Sequence, residues 1–337
     1  MSNPDTADVV WLNNPRKIEI RKESLPHPHD HELLCSTIVT AISPGTEIAA
    51  FKGLPPLRPG VVYPRLQGYC NVAQVLAVGS KGSKFEPGDR VLSFISHRSA
   101  FLIAETEVLY KLPVEAHAEH IAVTYLFHLG YNAILRSGVR PGHRVLVIGL
   151  GILGLTSVAA AVLAGARTFA LSNHAVPTTI AKHYGAEAVF SRNELSDLHE
   201  KLGTELADVV IVTTNGWHDW EIALKMVAQL GVIAVLGFPG RGDNDLCKNP
   251  LDSQYFYTKQ IQIKAVGSSP EFRDSRGFCR FNERDNIKFL AKLIIDKNLD
   301  PKPLISGMFN GMDIESAYLK LISRESSPLT YLLKWNN

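Results

Sequence analysis

Along the first third of the chain, short apolar runs rich in β-branched residues alternate with turn formers. Residues 9–12, 17–21, 33–42, 72–78 and 89–94 read as strands, punctuated by Pro26, Pro44, Gly53, Gly68 and Gly88 among others. Many short strands between turns predict a β-rich, barrel-like domain. The period then changes. Residues 144–149 form a short apolar strand, and 153–164 a helix of small residues that Gly165 can terminate. Strands at 168–171, 188–190, 208–213, 232–236 and 261–266 alternate with helices at 178–184 and 217–230, the latter closed by Gly231. That alternation predicts a parallel α/β sheet. After Ser268 come amphipathic helices at 285–297 and 313–323, and a last strand at 330–334 expected to return to the first domain. The predicted fold class is therefore α/β: a β-rich domain over 1–125 and 268–337, with a doubly wound parallel sheet over 126–267.

One loop in the second region carries chemistry. Gly149-Leu150-Gly151-Ile152-Leu153-Gly154 follows a predicted strand and opens a predicted helix. In that setting GxGxxG marks a Rossmann dinucleotide site. Gly149 permits the tight turn, Gly151 lets the backbone approach a pyrophosphate, and Gly154 lets the helix pack closely. Free N–H groups and the positive dipole end of the helix, near Ile152 and Leu153, face the phosphates. Thr213, Gly237 and Phe238, at the ends of later strands, are expected to complete the cofactor site. The end of the second strand normally carries an acid that bonds the ribose 2′-hydroxyl of NAD. Here the sequence reads Leu171-Ser172-Asn173-His174. Ser172 carries no charge to repel a 2′-phosphate, so NADP is expected over NAD, with Ser172 and Asn173 as hydrogen-bonding partners. No Arg or Lys follows directly to grip the phosphate.

Three further segments fit one family. Ser43-Pro44-Gly45-Thr46-Glu47, Gly68-Tyr69-Cys70 and Pro87-Gly88-Asp89-Arg90-Val91 precede the Rossmann glycines in order. Over nearly its whole length the chain resembles a medium-chain dehydrogenase/reductase, with a GroES-like catalytic domain and a Rossmann domain. The Ser-Pro-Gly-Thr-Glu turn resembles the branch containing bacteriochlorophyllide hydroxyethyl dehydrogenase. The resemblance implies an oxidoreductase interconverting a secondary alcohol and a ketone, and a homodimer joined through the edge strands of the Rossmann sheets.

The departures from the family carry as much information. Zinc members hold their metal with Cys, His and a third Cys or Asp, with a Glu beside the His. The matching positions here are Pro44, Tyr69, Tyr125 and Cys70. A catalytic zinc needs about three thiolate, imidazole or carboxylate ligands, so a zinc-free member is expected. Hydride transfer to a carbonyl still needs a donor for the charge that grows on oxygen. Thr46 matches the family's proton-relaying hydroxyl, and Tyr69 and Tyr125 match former ligand positions. Tyr69 or Tyr125, with Thr46, is the expected catalytic donor; the alternative for each tyrosine is aromatic filler. His97 is expected to be a satisfied loop histidine, and Glu47 to support the Gly45-Thr46 turn. His120, Thr124 and His128 are expected along one helical face. The substrate is expected to be a mid-sized, partly apolar small molecule, lined in part by Phe51 and His97. An enoyl or quinone reductase, and a catalytically silent NADPH-binding protein, remain open.

Composition narrows the partners. Of the 337 residues, 45% are hydrophobic and 20% charged, with a formal net charge of +2. That profile suits a globular protein and gives no basic stripe for nucleic acid. No apolar run is long enough for a membrane span. Cys35, Cys70, Cys247 and Cys279 stand far apart, which fits a reducing cytoplasm.

Overall fold

The computed structural model describes residues 3–54, 62–81, 83–241 and 249–335; Cys247 lies outside them. The chain divides into two compact units, residues 1–125 with 284–337, and residues 126–283.

In the first unit the chain runs through Thr6–Asn14 (β1), Lys17–Ser24 (β2), Glu32–Ala41 (β3), Pro44–Lys52 (α1), Arg65–Leu66 (β4), Asn71–Val78 (β5), Arg90–Ser93 (β6), Ala100–Ala104 (β7), Tyr110–Leu112 (β8) and Ala118–Ile121 (α2). Thr124–Ser137 (α3) leads into the second unit. There the order is Arg144–Ile148 (β9), Ile152–Leu163 (α4), Arg167–Leu171 (β10), Ala175–His183 (α5), Ala188–Phe190 (β11), Leu195–Leu202 (α6), Ala207–Val212 (β12), Trp217–Met226 (α7), Val227–Val235 (β13) and Gln262–Ala265 (β14). Glu283–Ile295 (α8) leads back to Ile305–Asn310 (β15), Ile314–Ser323 (α9) and Thr330–Lys334 (β16) of the first unit.

The first unit holds a three-stranded sheet, β2-β1-β4, and a seven-stranded sheet, β15-β16-β3-β5-β6-β8 with β7 on β3. The returning strand is real: Leu332, Leu333 and Lys334 pair antiparallel with Ala41, Thr40 and Val39. Apolar faces of β1, α1, α9 and β16 meet in a core containing Val10, Leu12, Ile42, Phe51, Tyr318 and Leu333. Phe51 and Tyr318 stack edge-on with centroids 5.3 Å apart.

The second unit is a parallel sheet in the order β11-β10-β9-β12-β13-β14. This is the doubly wound Rossmann order, whose ligand crevice lies beyond the carboxyl ends of the strands where the order reverses. Helix α4 is buried nearly all round, from Ile152 to Ala161. A β-carbon on Gly130 would come within 2.4 Å of the Thr156 carbonyl carbon, so that glycine lets α3 and α4 touch backbone to backbone.

Four expectations need correction. The segment 268–283 belongs with the α/β unit: Asn132 Nδ2 donates to the Val266 carbonyl at 2.7 Å, Arg136 Nη1 to that of Ser268 at 2.7 Å, and the Glu283 N–H to that of Pro270 at 2.7 Å. Residues 227–230 are strand rather than helix. Lys259 Nζ donates to the carbonyls of Leu224, Lys225 and Val227 at 2.9–3.0 Å and stops α7 there. Residues 44–52 are a helix, with Pro44 in the first turn, where its missing N–H costs nothing. His120 lies on α2 and His128 on α3, so the turn at residues 122–123 between these helices interrupts the single helical face.

Candidate functional site

In the α/β unit, β9 ends in a loop shaped around its glycines. Gly149 has φ +89°, and a β-carbon there would strike Thr214 Cγ2 at 2.3 Å and Thr213 Oγ1 at 2.9 Å. A β-carbon on Gly154 would lie 1.8 Å from the Gly149 carbonyl oxygen. Gly151 differs: it is exposed and its β-carbon would meet nothing within 4 Å. Gly151 caps α4 with no side-chain cap, and the first turn, with Ile152 and Leu153, holds no acid. The N–H groups of that turn are therefore open to an anion.

The end of β12 closes this loop. Thr213 Oγ1 donates to the carbonyls of Ile148 and Gly149, at 3.0 and 2.9 Å. Thr213 thus shapes the loop and has no hydroxyl proton left for a ligand. Next to it, Thr214 Oγ1 is buried without a hydrogen-bond partner. Gly237 packs on the Thr213–Thr214 backbone, where a β-carbon would lie 2.5 Å from the Thr214 carbonyl oxygen. Phe238 is exposed, and its N–H donates to Asn215 Oδ1 at 3.0 Å. Open helix N–H groups, a cradle with no room for a β-carbon at Gly149, Gly154 or Gly237, and an orphaned hydroxyl fit a dinucleotide.

At the end of β10, Ser172 is buried and its Oγ accepts from the His174 N–H at 3.2 Å. Asn173 Oδ1 accepts from the Arg192 N–H at 2.8 Å. The residue that meets Asn173, through its backbone, thus comes from beyond the neighbouring strand. Parallel pairing of β10 with β11 brings it there. The Arg192 guanidinium forms a two-pronged ion pair with Asp219, both bonds 2.7 Å.

In the first unit, the turn after β3 gathers the polar residues singled out in the sequence. The Tyr69 hydroxyl donates to Ser43 Oγ and is hydrogen-bonded to Thr46. Burial, then the nearby Cys70, push the phenol well above its ordinary range, so Tyr69 is a neutral donor. The Tyr125 ring stands edge-on to Tyr69 at 5.1 Å and to Phe94 at 5.2 Å. Thr46, Tyr69 and Tyr125 thus form one cluster.

His97 and Phe51 do not line a surface. Phe51 is core, and His97 is fully buried. His97 Nε2 lies 2.9 Å from Glu47 Oε2, and Nδ1 lies 2.7 Å from Thr40 Oγ1. Glu47 Oε1 accepts from the Ser43 N–H at 2.6 Å, and Oε2 from the Tyr318 hydroxyl at 2.6 Å. Sequence reasoning missed Ser43 and Tyr318. A legible sign was the Pro44 that follows Ser43, which marks a helix start.

A model of the zinc-binding dehydrogenase family matches residues 153–278. Sorbitol dehydrogenase of Bacillus subtilis (strain 168) is 22% identical over 327 residues, spanning 87% of this chain and 88% of that one. The NADP-dependent isopropanol dehydrogenase of Clostridium beijerinckii is 26% identical over 292 residues, spanning 75% and 79%. Among solved structures, 2R,3R-butanediol dehydrogenase of Bacillus subtilis superposes with a TM-score of 0.81 at 17% identity, covering 98% of this chain and all of its own. Residues 153–278 thus match the zinc-binding dehydrogenase family, and the chain as a whole has the fold of these dehydrogenases. Zinc is the metal that the family's description implies, and the residues at the corresponding positions do not fit it. Pro44 has no donor atom, Tyr69 is committed to Ser43 and Thr46, and Tyr125 packs among aromatics. The Cys70 thiol is pushed well above its ordinary range, by burial first and Glu47 second. No group of three or more His, Cys, Asp or Glu among the described residues is placed to hold a metal ion.

Proposed function

We propose that this protein is an NADP(H)-dependent oxidoreductase that interconverts a secondary alcohol and a ketone on a mid-sized metabolite, with a tyrosine donor in place of a catalytic zinc. The observation that carries the reading is the Tyr69 hydroxyl, held by Ser43 and Thr46 where the family's zinc members place a histidine ligand.

NADPH, when bound, supplies a hydride to the carbonyl carbon and leaves as NADP+. The α/β unit binds it: the first turn of α4 takes the pyrophosphate, and Thr214 Oγ1 supplies a further hydrogen bond. Uncharged Ser172, with Asn173 beside it and Arg192 close by, tolerates a 2′-phosphate where a carboxylate would repel it. The isopropanol dehydrogenases among the relatives are named as NADP-dependent, which supports this preference. In the first unit, Tyr69 turns its proton from Ser43 Oγ toward the substrate oxygen as negative charge grows there. Thr46 passes the replacement proton, and Tyr125 restricts the Tyr69 ring. A preorganised donor of this kind is worth about 10²–10³ in kcat when removed.

The test is NADPH oxidation with a ketone panel and an enone panel, by the parent and by Tyr69→Phe and Tyr125→Phe. Ketone turnover that falls in Tyr69→Phe supports the reading. Equal turnover in both variants and the parent removes the tyrosines from the chemistry. Turnover on enones alone makes the protein an enoyl reductase, and NADPH binding without turnover on either panel makes it a binding protein.

A further inference from the structure

Behind Tyr69 lies a polar network that the proposed chemistry does not use. The His97 and Glu47 side chains are 0% and 2% exposed. Burying such groups costs free energy, and an apolar pair of similar volume is often as stable. The network is nevertheless satisfied bond by bond. Trp335 Nε1 donates to Thr40 Oγ1 at 3.0 Å. The arrangement that leaves no atom idle has the Thr40 hydroxyl donating to His97 Nδ1 and His97 Nε2–H donating to Glu47. Hydrogen-bond partners fix a histidine tautomer in this way. Glu47 then gathers three donors: His97 Nε2–H, the Tyr318 hydroxyl and the Ser43 N–H.

Both ends of the pair bear on Tyr69. The His97 N–H donates to the Gln67 carbonyl at 2.7 Å. The His97 ring lies against Gly68, where a β-carbon would be 2.5 Å from Nε2. Gly68 has φ +84°, so the turn that delivers Tyr69 is shaped directly over the imidazole. At the other end, Glu47 Oε1 holds the backbone of Ser43, whose Oγ accepts the Tyr69 proton. One buried pair thus fixes the backbone that carries the phenol and the hydroxyl that receives its proton.

We infer that His97 and Glu47 are positioning residues for the Tyr69 donor, joining the Gln67–Gly68 turn to Ser43 through a single buried hydrogen bond. The inference rests on the reading of Tyr69 given above. Neither side chain touches substrate; each acts through the placement of Tyr69. A donor displaced by about 1 Å loses up to roughly 10²-fold in rate, while binding of NADPH by the other unit is left intact.

The test uses full-length protein labelled with 13Cζ-tyrosine, the Tyr69 resonance being assigned by its loss in Tyr69→Phe. His97→Asn, Glu47→Gln and Tyr318→Phe are compared with the parent, each checked for folding by thermal melt and NADPH binding. Tyr318→Phe keeps the ring and removes one donor, so it remains informative where the other two fail to fold. The expected result is a shifted Tyr69 resonance in every folded variant, with ketone kcat down about 10- to 100-fold. KM for NADPH should stay within about twofold, and combination with Tyr69→Phe should give less than the product of the single losses. An unmoved resonance and unchanged kcat in the folded variants overturn the inference even where Tyr69→Phe is slow. Full ketone turnover by Tyr69→Phe overturns the donor reading, and the inference with it.

Discussion

Two glycines only three residues apart should answer an added methyl in opposite ways. At Gly154 the new carbon would sit 1.8 Å from the Gly149 carbonyl oxygen and 2.9 Å from its carbonyl carbon. Reaching even a tight 3.0 Å requires a retreat of roughly 1.2 Å between the α4 backbone and the loop. Both partners are main chain, so no side-chain rotation relieves the clash. Overpacking of this kind costs about 1–3 kcal/mol, and Gly154→Ala belongs at the upper end. At Gly151 the backbone has φ −70° and ψ −171°, which any residue adopts, and the space around it is open. Gly151→Ala should therefore leave the apo protein unharmed, or stabilise it by about 0.4–1 kcal/mol through the unfolded chain. Its methyl would stand where the pyrophosphate approaches α4. NADPH affinity should fall at least tenfold, a loss of about 1.4 kcal/mol. Urea melts of the apo protein and fluorescence titration with NADPH separate the two effects. A Gly151→Ala protein that binds NADPH as the parent does would refute the placement of the pyrophosphate over Gly151. An unchanged melt in Gly154→Ala would refute the steric reading of the loop.

Other consequences follow from the same geometry. Ser172→Asp puts a carboxylate at the end of β10 and should weaken NADP about tenfold or more relative to NAD, read as the ratio of kcat/KM for the two cofactors. Glu47→Ala strands the His97 Nε2–H, the Tyr318 hydroxyl and the Ser43 N–H. It should cost about 3–5 kcal/mol in a urea melt, against under about 1 kcal/mol for the exposed Glu187 partner of Arg167. Burial lowers the His128 imidazole from 6.5 to about 4. The unfolded chain then binds the proton more readily than the folded one. Stability should fall as pH drops from about 6.5 to about 4, by on the order of 3 kcal/mol, and level off below; His128→Gln should flatten that limb of the pH–stability curve. The family resemblance implies a homodimer through a Rossmann edge strand, and we propose β14, an edge of the sheet among the described residues; light scattering should then give twice the chain mass, and Ile263→Pro should lower it.

Much of the fold was legible because its elements obey local rules. Strand periodicity located β1, β2, β3, β5 and β6, and the valine- and isoleucine-rich runs located the centre of the parallel sheet. What escaped depends on distant partners. Strand β7 is defined by pairing with β3, and residues 227–230 become strand because Lys259 ends α7 from 32 to 35 residues away. The Gly149–Gly154 loop was readable because two of its glycines answer local backbone demands: Gly149 has φ +89°, and Gly154 packs on the Gly149 carbonyl five residues back. Arg192 was not, because only the pairing of β10 with β11 carries it to Asn173. His97 read as a loop histidine, since nothing nearby in the sequence signals a partner; Glu47 lies 50 residues before it and Tyr318 lies 271 residues beyond Glu47. Buried polar networks assemble from such long-range contacts, and hydrophobic patterning does not mark them.

The most direct measurement is steady-state NADPH oxidation with a ketone panel, by protein stripped with a strong chelator and checked for metal content. Turnover that survives stripping, gains nothing from added zinc and falls about 10²–10³-fold in Tyr69→Phe is the expected result. Turnover that disappears on stripping, returns with zinc and is indifferent to Tyr69→Phe would contradict a tyrosine donor standing in for the metal.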